Sequence, residues 1–215
     1  MKKTLVLFFS LIIAATAIAK DAAKEAFYSA PMKVIPYAAK MLRMDMVDYY
    51  ESGSDKKIRN DLYDGSRILA MTDLDIVIEE TADSACIAQI AVDLTAKGDT
   101  TYIFTRNIAT PAIDGTIAFY GTDWKPLKGN HFKEPALKDW VVKGCSKEDA
   151  ELVNGIVPFV MAKYDYDAVN KTLTLTQNFD VYISTVDYEK VSHLLYKSMT
   201  YKWNGSRMIL VSKTL

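Results

Sequence analysis

Histidine and cysteine are scarce in this chain of 215 residues, and each scarcity closes off a class of chemistry. His131 and His193 are the two histidines, and neither sits in a His-x-His or His-x3-His spacing. A transition-metal site is therefore not expected, and neither a metal nor a cofactor is assigned to the chain. A serine nucleophile needs the sharp G-x-S-x-G turn, which the chain lacks. Its nine glycines serve turns and form no loop that could cradle phosphate. Charge of one sign is lacking as well: 26 Lys and Arg face 27 Asp and Glu, for a formal net charge of -1. That balance gives no bulk attraction to nucleic acid or to anionic lipid. Cys86 and Cys145, if joined, would close a loop of roughly 60 residues, worth about 4 kcal/mol in chain entropy. The alternative is two separate thiols, with Cys86 on the apolar face of a strand.

Long apolar runs are confined to the start. Lys2 and Lys3 precede an apolar or small-residue stretch from Leu5 to Ile18, and Ala17-Ile18-Ala19 supplies the small-x-small pattern of a signal-peptide cleavage site. A spanning helix needs about 20 apolar residues, more than this stretch offers. The pattern predicts export to the periplasm or beyond, with a cut after Ala19 and no transmembrane anchor afterwards. An uncleaved anchor is the competing reading. Residues 20–215 then form a single α+β domain, with sub-lobes 20–128 and 145–215 as the alternative division. Hydrophobic residues at 50% and charged residues at 25% are enough for a sizeable core and argue against disorder.

Along the chain the apolar period changes from helical to alternating. Asp21 to Ala30 reads as a poorly held lead-in. Ala38, Ala39, Leu42, Met46 and Val47 mark a helix from Pro36 to Glu51, which Gly53 ends. Alternation then predicts strands over 58–63 and 67–71 around Asp64-Gly65, and further strands through Leu74–Ile78, Cys86–Leu94, Thr101–Arg106 and Thr116–Tyr120. Asp114-Gly115 is expected to be a turn. Short helices are expected over Pro135–Val142, from the Ser146 cap to Asn154 with Gly155 as terminator, and from Asp187 to Lys197. Strands at 157–166 and 172–179 and a closing hairpin around Asn204-Gly205 complete the reading. The fold class is α+β: mainly antiparallel sheet, packed with three or four helices. Tyr63 to Leu69 echoes Trp203 to Ile209, which two hairpins with the same turn chemistry explain without duplication.

Two constellations could carry function. Asp73, Asp75, Glu79, Glu80 and Asp83 crowd one strand and its turn, and an acid pair for polymer hydrolysis could lie among such residues. Edge-strand charge and turn chemistry are the better explanation. The second constellation is aromatic: Tyr102, Phe104, Tyr120 and Trp124 in one half, Tyr164, Tyr166, Tyr182, Tyr201 and Trp203 in the other. On a sheet with one open face these rings would line a groove for a glycan, a peptide or an envelope protein. On a covered sheet they would be core.

The run Ala30-Pro31-Met32, then Val34-Ile35-Pro36 and Arg43-Met44-Asp45-Met46-Val47-Asp48-Tyr49-Tyr50, is joined by a later one. That is Thr116-Ile117-Ala118-Phe119-Tyr120 leading to Trp124-Lys125-Pro126-Leu127. Together they resemble an exported Bacteroidales family known only as a domain of unknown function, over about residues 27 to 211. The resemblance implies an envelope or secreted location and brings no activity or catalytic residue with it. The expected function is a non-catalytic binding or accessory protein of unknown ligand. An envelope polymer hydrolase and a structural partner of an outer-membrane assembly are the alternatives. The first predicts exposed rings, the second a close carboxylate pair in a cleft, the third an unpaired edge strand.

Overall fold

The computed structural model describes residues 21–59, 65–80, 86–95, 99–109 and 111–215. Two antiparallel sheets organise them, and in each sheet every strand pairs with its neighbour in the chain. Sheet 1 contains β1 (Arg67–Met71), β2 (Asp75–Glu79), β3 (Cys86–Leu94), β4 (Thr100–Ala109) and β5 (Ile113–Tyr120). Sheet 2 contains β6 (Ala162–Asp167), β7 (Thr172–Gln177), β8 (Ser198–Trp203) and β9 (Met208–Thr214). Helices α1 (Ala22–Ser29) and α2 (Lys40–Glu51) precede sheet 1. Helices α3 (Leu137–Trp140) and α4 (Lys147–Ile156) link the sheets, and α5 (Phe179–Tyr182) and α6 (Thr185–Val191) interrupt sheet 2. The α+β class holds, with six helices among the described residues instead of three or four.

Sheet 1 is covered on both faces. Ile76, Ile78, Ala88, Ile90, Val92, Tyr102 and Phe104 pack under α1, α2 and Trp124. Ala91, Ile103 and Phe119 on the other face join Tyr164, Leu173, Leu175, Met199 and Trp203 of sheet 2, together with Trp140, Val153, Phe179 and Val191 from the later helices. In sheet 2, strands β6, β7 and β8 alternate between buried residues inside and more accessible ones outside, as an antiparallel sheet with one open face should.

Helix α1 corrects the lead-in expected there. Ala23, Ala26 and Phe27 are completely buried at i, i+3 and i+4. Arg43 of α2 is itself buried and donates from Nη1 to the carbonyls of Phe27 (2.8 Å) and Ala30 (2.5 Å). A cation thus closes the C-terminal end of α1, where the helix dipole favours it. Burial lowers the pKa of that guanidinium from its ordinary value. Helix α2 starts at Lys40, four residues later than the Pro36 signal suggests, because Val34, Ile35 and Ala38 are buried in the approach segment. Ser146 caps α4 as expected, accepting the Asp149 N–H at 3.0 Å. Gly155 lies within that helix, which ends at Ile156. Ser184, and not Asp187, caps α6, and a 3-10 turn at Ser192–Leu194 replaces its expected last turns. Ile58 bridges Ser66 at the first expected hairpin, whose tip at 60–64 lies outside the described residues.

Asp114-Gly115 is not a turn. Both residues lie inside β5, and Gly115 sits opposite Asn107 of β4. A Cβ at Gly115 would fall 2.3 Å from Cδ1 of Tyr164, so the glycine exists to let a ring of sheet 2 lie directly on the backbone of sheet 1. Asn107 completes this socket. Its Oδ1 accepts the Tyr164 N–H at 2.8 Å and its Nδ2 donates to the Tyr164 carbonyl at 2.9 Å.

Candidate interaction surface

The aromatic constellation is interior. Tyr102, Phe104, Trp124, Tyr201 and Trp203 are all buried, and Tyr120 is half-buried. The structure brings Tyr102, Tyr120 and Trp124 together, with ring centroids 4.8 and 5.4 Å from the Trp124 indole. Ser29 of α1 accepts the Trp124 Nε1 proton at 3.1 Å, so the helix seals this cluster. Tyr201 and Trp203 stand apart from it, in the other core. Trp203 stacks on Phe119 at 4.8 Å and donates to Asp93 Oδ2 at 2.7 Å. The open aromatic face is thus corrected: alternation in sheet 1 marks a buried face, while its second face is covered by sheet 2. Burial also pushes the Tyr201 hydroxyl up to about 12, as expected for an interior phenol.

The buried carboxylates are neutralised within the fold. Glu79 pairs with Arg67 (2.6 Å) and Lys57 (3.2 Å), and Asp93 with Lys171 (2.5 Å). Glu80 receives a two-pronged contact from Arg106, Nε to Oε2 at 2.6 Å and Nη2 to Oε1 at 2.8 Å. Burial of Arg106 opposes its charge, and the Glu80 contact outweighs burial and raises its pKa. Cys86 donates to Glu80 at 3.0 Å; burial first, and that hydrogen bond second, push its thiol up to about 12. Both cysteines are free, Cys86 in this buried cluster and Cys145 half-buried against the other core, so no bridge joins them. A cleft of about 440 Å³ between the sheets holds Asp75 and Asp165. Asp75 accepts from Gln89 at 2.8 Å, and the half-exposed Asp165 pairs with Lys163 at 2.8 Å. Neither is a desolvated acid of the sort polymer hydrolysis needs. Asp83 lies outside the described residues. Among those described, no group of three His, Cys, Asp or Glu could hold a metal, and no helix is long and apolar enough to cross a membrane.

The sheet edges behave differently from one another. At β5, Asn178 donates to the Ile113 carbonyl (2.6 Å), and Leu127 donates to that of Phe119 (2.9 Å). At β6, Asn107 serves both backbone groups of Tyr164, and Gln89 donates to the Tyr166 carbonyl at 3.0 Å. At β1, the Tyr50 hydroxyl accepts the Met71 N–H at 3.3 Å, and Ile58 bridges Ser66 just ahead of the strand.

At the start of strand β9 the His131 carbonyl accepts the Met208 N–H at 2.7 Å, and near its end the Lys213 side chain reaches the Asp139 carbonyl. Between these points Ile209, Leu210 and Val211 are 38%, 43% and 57% exposed. An irregular register opposite Thr200 and Tyr201 accounts for three successive apolar residues showing outward. Soluble proteins blunt exposed strand edges, which makes a bare apolar one a candidate interaction surface. In sequence this strand is half of an ordinary hairpin. Its one signal is Met208-Ile209-Leu210-Val211, an apolar run that breaks the alternation of β8.

A family model described as "Protein of unknown function (DUF3256)" matches residues 15–208. The chain belongs to that family. No curated protein matches it. Among solved structures it is similar to a domain of an uncharacterized protein from Porphyromonas gingivalis W83. The two are 17% identical, with a TM-score of 0.74 over 87% of this chain and 98% of the other. At that identity the likeness is one of fold.

Proposed function

We propose that this DUF3256 member is an exported, non-catalytic accessory protein that works by docking another protein of the cell envelope. The single observation that carries this is the open apolar edge of β9. The internal pairing of Glu79, Glu80 and Asp93 supports it, because these buried acids are already engaged and not free for hydrolysis. The basic, apolar first nineteen residues support export. Strand addition to such an edge gives affinity through main-chain hydrogen bonds and selectivity through the alternate side chains.

A photoreactive amino acid placed at position 210 in the producing cells tests the reading. Cross-linking should give one discrete protein adduct, while the same group at exposed Lys147 on α4 should give none. Equal adducts at both positions, or none at 210, would remove the proposal. So would recovery of the protein from the cytosol with its leader attached.

A further inference from the structure

We infer that β9 takes an extended, carboxylate-bearing polypeptide strand as its partner, and not a second copy of this chain. The inference rests on the docking role proposed above and adds the chemistry of the partner. From Val191 to Leu215 the sequence contains Lys197, Lys202, Arg207 and Lys213 and no Asp or Glu, in a chain whose overall charge is -1. The fold places three of these cations, Lys197, Arg207 and Lys213, around the open edge. Arg207 lies just ahead of β9 and is exposed. Lys213 lies near its end, its ammonium on the Asp139 backbone carbonyl and 4.9 Å from the Tyr196 ring centroid. Exposed Lys197 donates its N–H to the Thr214 carbonyl, which sets it beside that same end. Lys202 of β8 turns the other way, its ammonium on the Asn170 carbonyl of the β6–β7 turn and close to the Asp167 carboxylate.

At β9 itself the Lys213 ammonium meets a backbone carbonyl and a ring, which leave its charge uncancelled, and Arg207 and Lys197 are exposed. Asp139, the nearby acid, turns its carboxylate back to the Ala136 N–H at 2.9 Å. Two copies meeting edge to edge would bring two such sets of cations together, and like charges across a strand pair are destabilising. A strand with an apolar centre and acidic ends meets Ile209, Leu210 and Val211 with its middle and the cations with its flanks. Charge complementarity of this kind sets partner choice and association rate.

The backbone also suits addition. The Met208 N–H points away from β8, toward His131, so the alternation of a strand directs the Leu210 N–H the same way. Leu210→Pro therefore removes an outward donor while sparing the ladder to β8.

The test uses two synthetic nine-residue peptides of alternating valine and threonine, one ended by two glutamates on each side and the other by two lysines. Fluorescence anisotropy with the mature protein should show the acidic peptide binding about tenfold tighter at low salt. That margin should shrink as ionic strength rises and the Debye length falls to about 8 Å at 0.15 M. Charge reversal at R207E/K197E should invert the preference. L210P, and independently I209T/V211T, should weaken the acidic peptide about tenfold or more, with thermal melts confirming that both variants fold.

Equal binding of the two peptides, no inversion on charge reversal, or no binding of the acidic peptide at millimolar concentration would each overturn the inference. A dimer in sedimentation that L210P dissolves would overturn it in favour of a second copy. If the adduct at position 210 forms while these peptide results fail, the chemistry falls and the docking role stands. If that adduct is missing too, the docking role falls with it.

Discussion

Strands β6 and β9 are the two borders of one sheet, and the fold treats them in opposite ways. At β6 two amide side chains from sheet 1 reach across, Asn107 to Tyr164 and Gln89 to Tyr166, and the border strand is fastened down. At β9 the carbonyl of His131 meets the first residue, and the apolar run that follows faces solvent. Buried backbone polar groups must find partners, so the first border required specific side chains. The second is wet, and its N–H and C=O groups lose nothing by waiting. The two borders thus differ in whether neighbouring side chains reach their free backbone groups.

The contrast can be broken or sharpened in four ways, taken from the largest effect down. Amide hydrogen exchange should separate the borders most widely. The Tyr164 N–H should exchange about 1,000-fold or more slowly than that of Leu210, because one opens only with the sheet-to-sheet contact and the other is already open. Comparable rates read by NMR would mean that β6 is no better held than β9. Next comes Gly115→Ala, which puts a methyl group into the Tyr164 ring and should cost about 3 kcal/mol in urea unfolding, at the upper end for overpacking. Asn107→Leu should cost about 2 kcal/mol, since it strands the Tyr164 N–H and C=O at a buried site. Smallest is Leu210→Ser, expected to change stability by less than about 0.5 kcal/mol because the side chain already meets water. A loss of several kcal/mol there would show that the β9 edge is held as tightly as the other.

Much of this architecture can be read from residue order. Asn204-Gly205 announces the β8–β9 hairpin through turn chemistry, and Ser146 announces α4 through its cap. Helix α1 is also legible, in the Ala23, Ala26, Phe27 spacing, but its small residues pass for a loose segment until one asks what they bury. Gly115 misleads because Asp-Gly means a turn locally. Its real reason is a ring 49 positions later in the chain, at Tyr164, which no local rule contains. The aromatic residues mislead for a related reason. Their alternation shows that one face of sheet 1 is buried and is silent about what lies on the other. The candidate edge is the least visible of all, since a strand looks the same on paper whether its border is capped or bare. Only the positions of Asn107, Gln89 and Asn178 elsewhere in the fold tell the borders apart.

The socket formed by Asn107 and Gly115 also bears on how the two sheets come to be joined. Each sheet is a meander, so its strands can zip onto the one made just before, at little cost in chain closure. Tyr164 cannot seat until both meanders exist, because the groove and its plug are 57 positions apart where Asn107 meets it. The join between the two meanders thus hangs on a long-range plug, one aromatic bolt that neither half can supply and receive by itself.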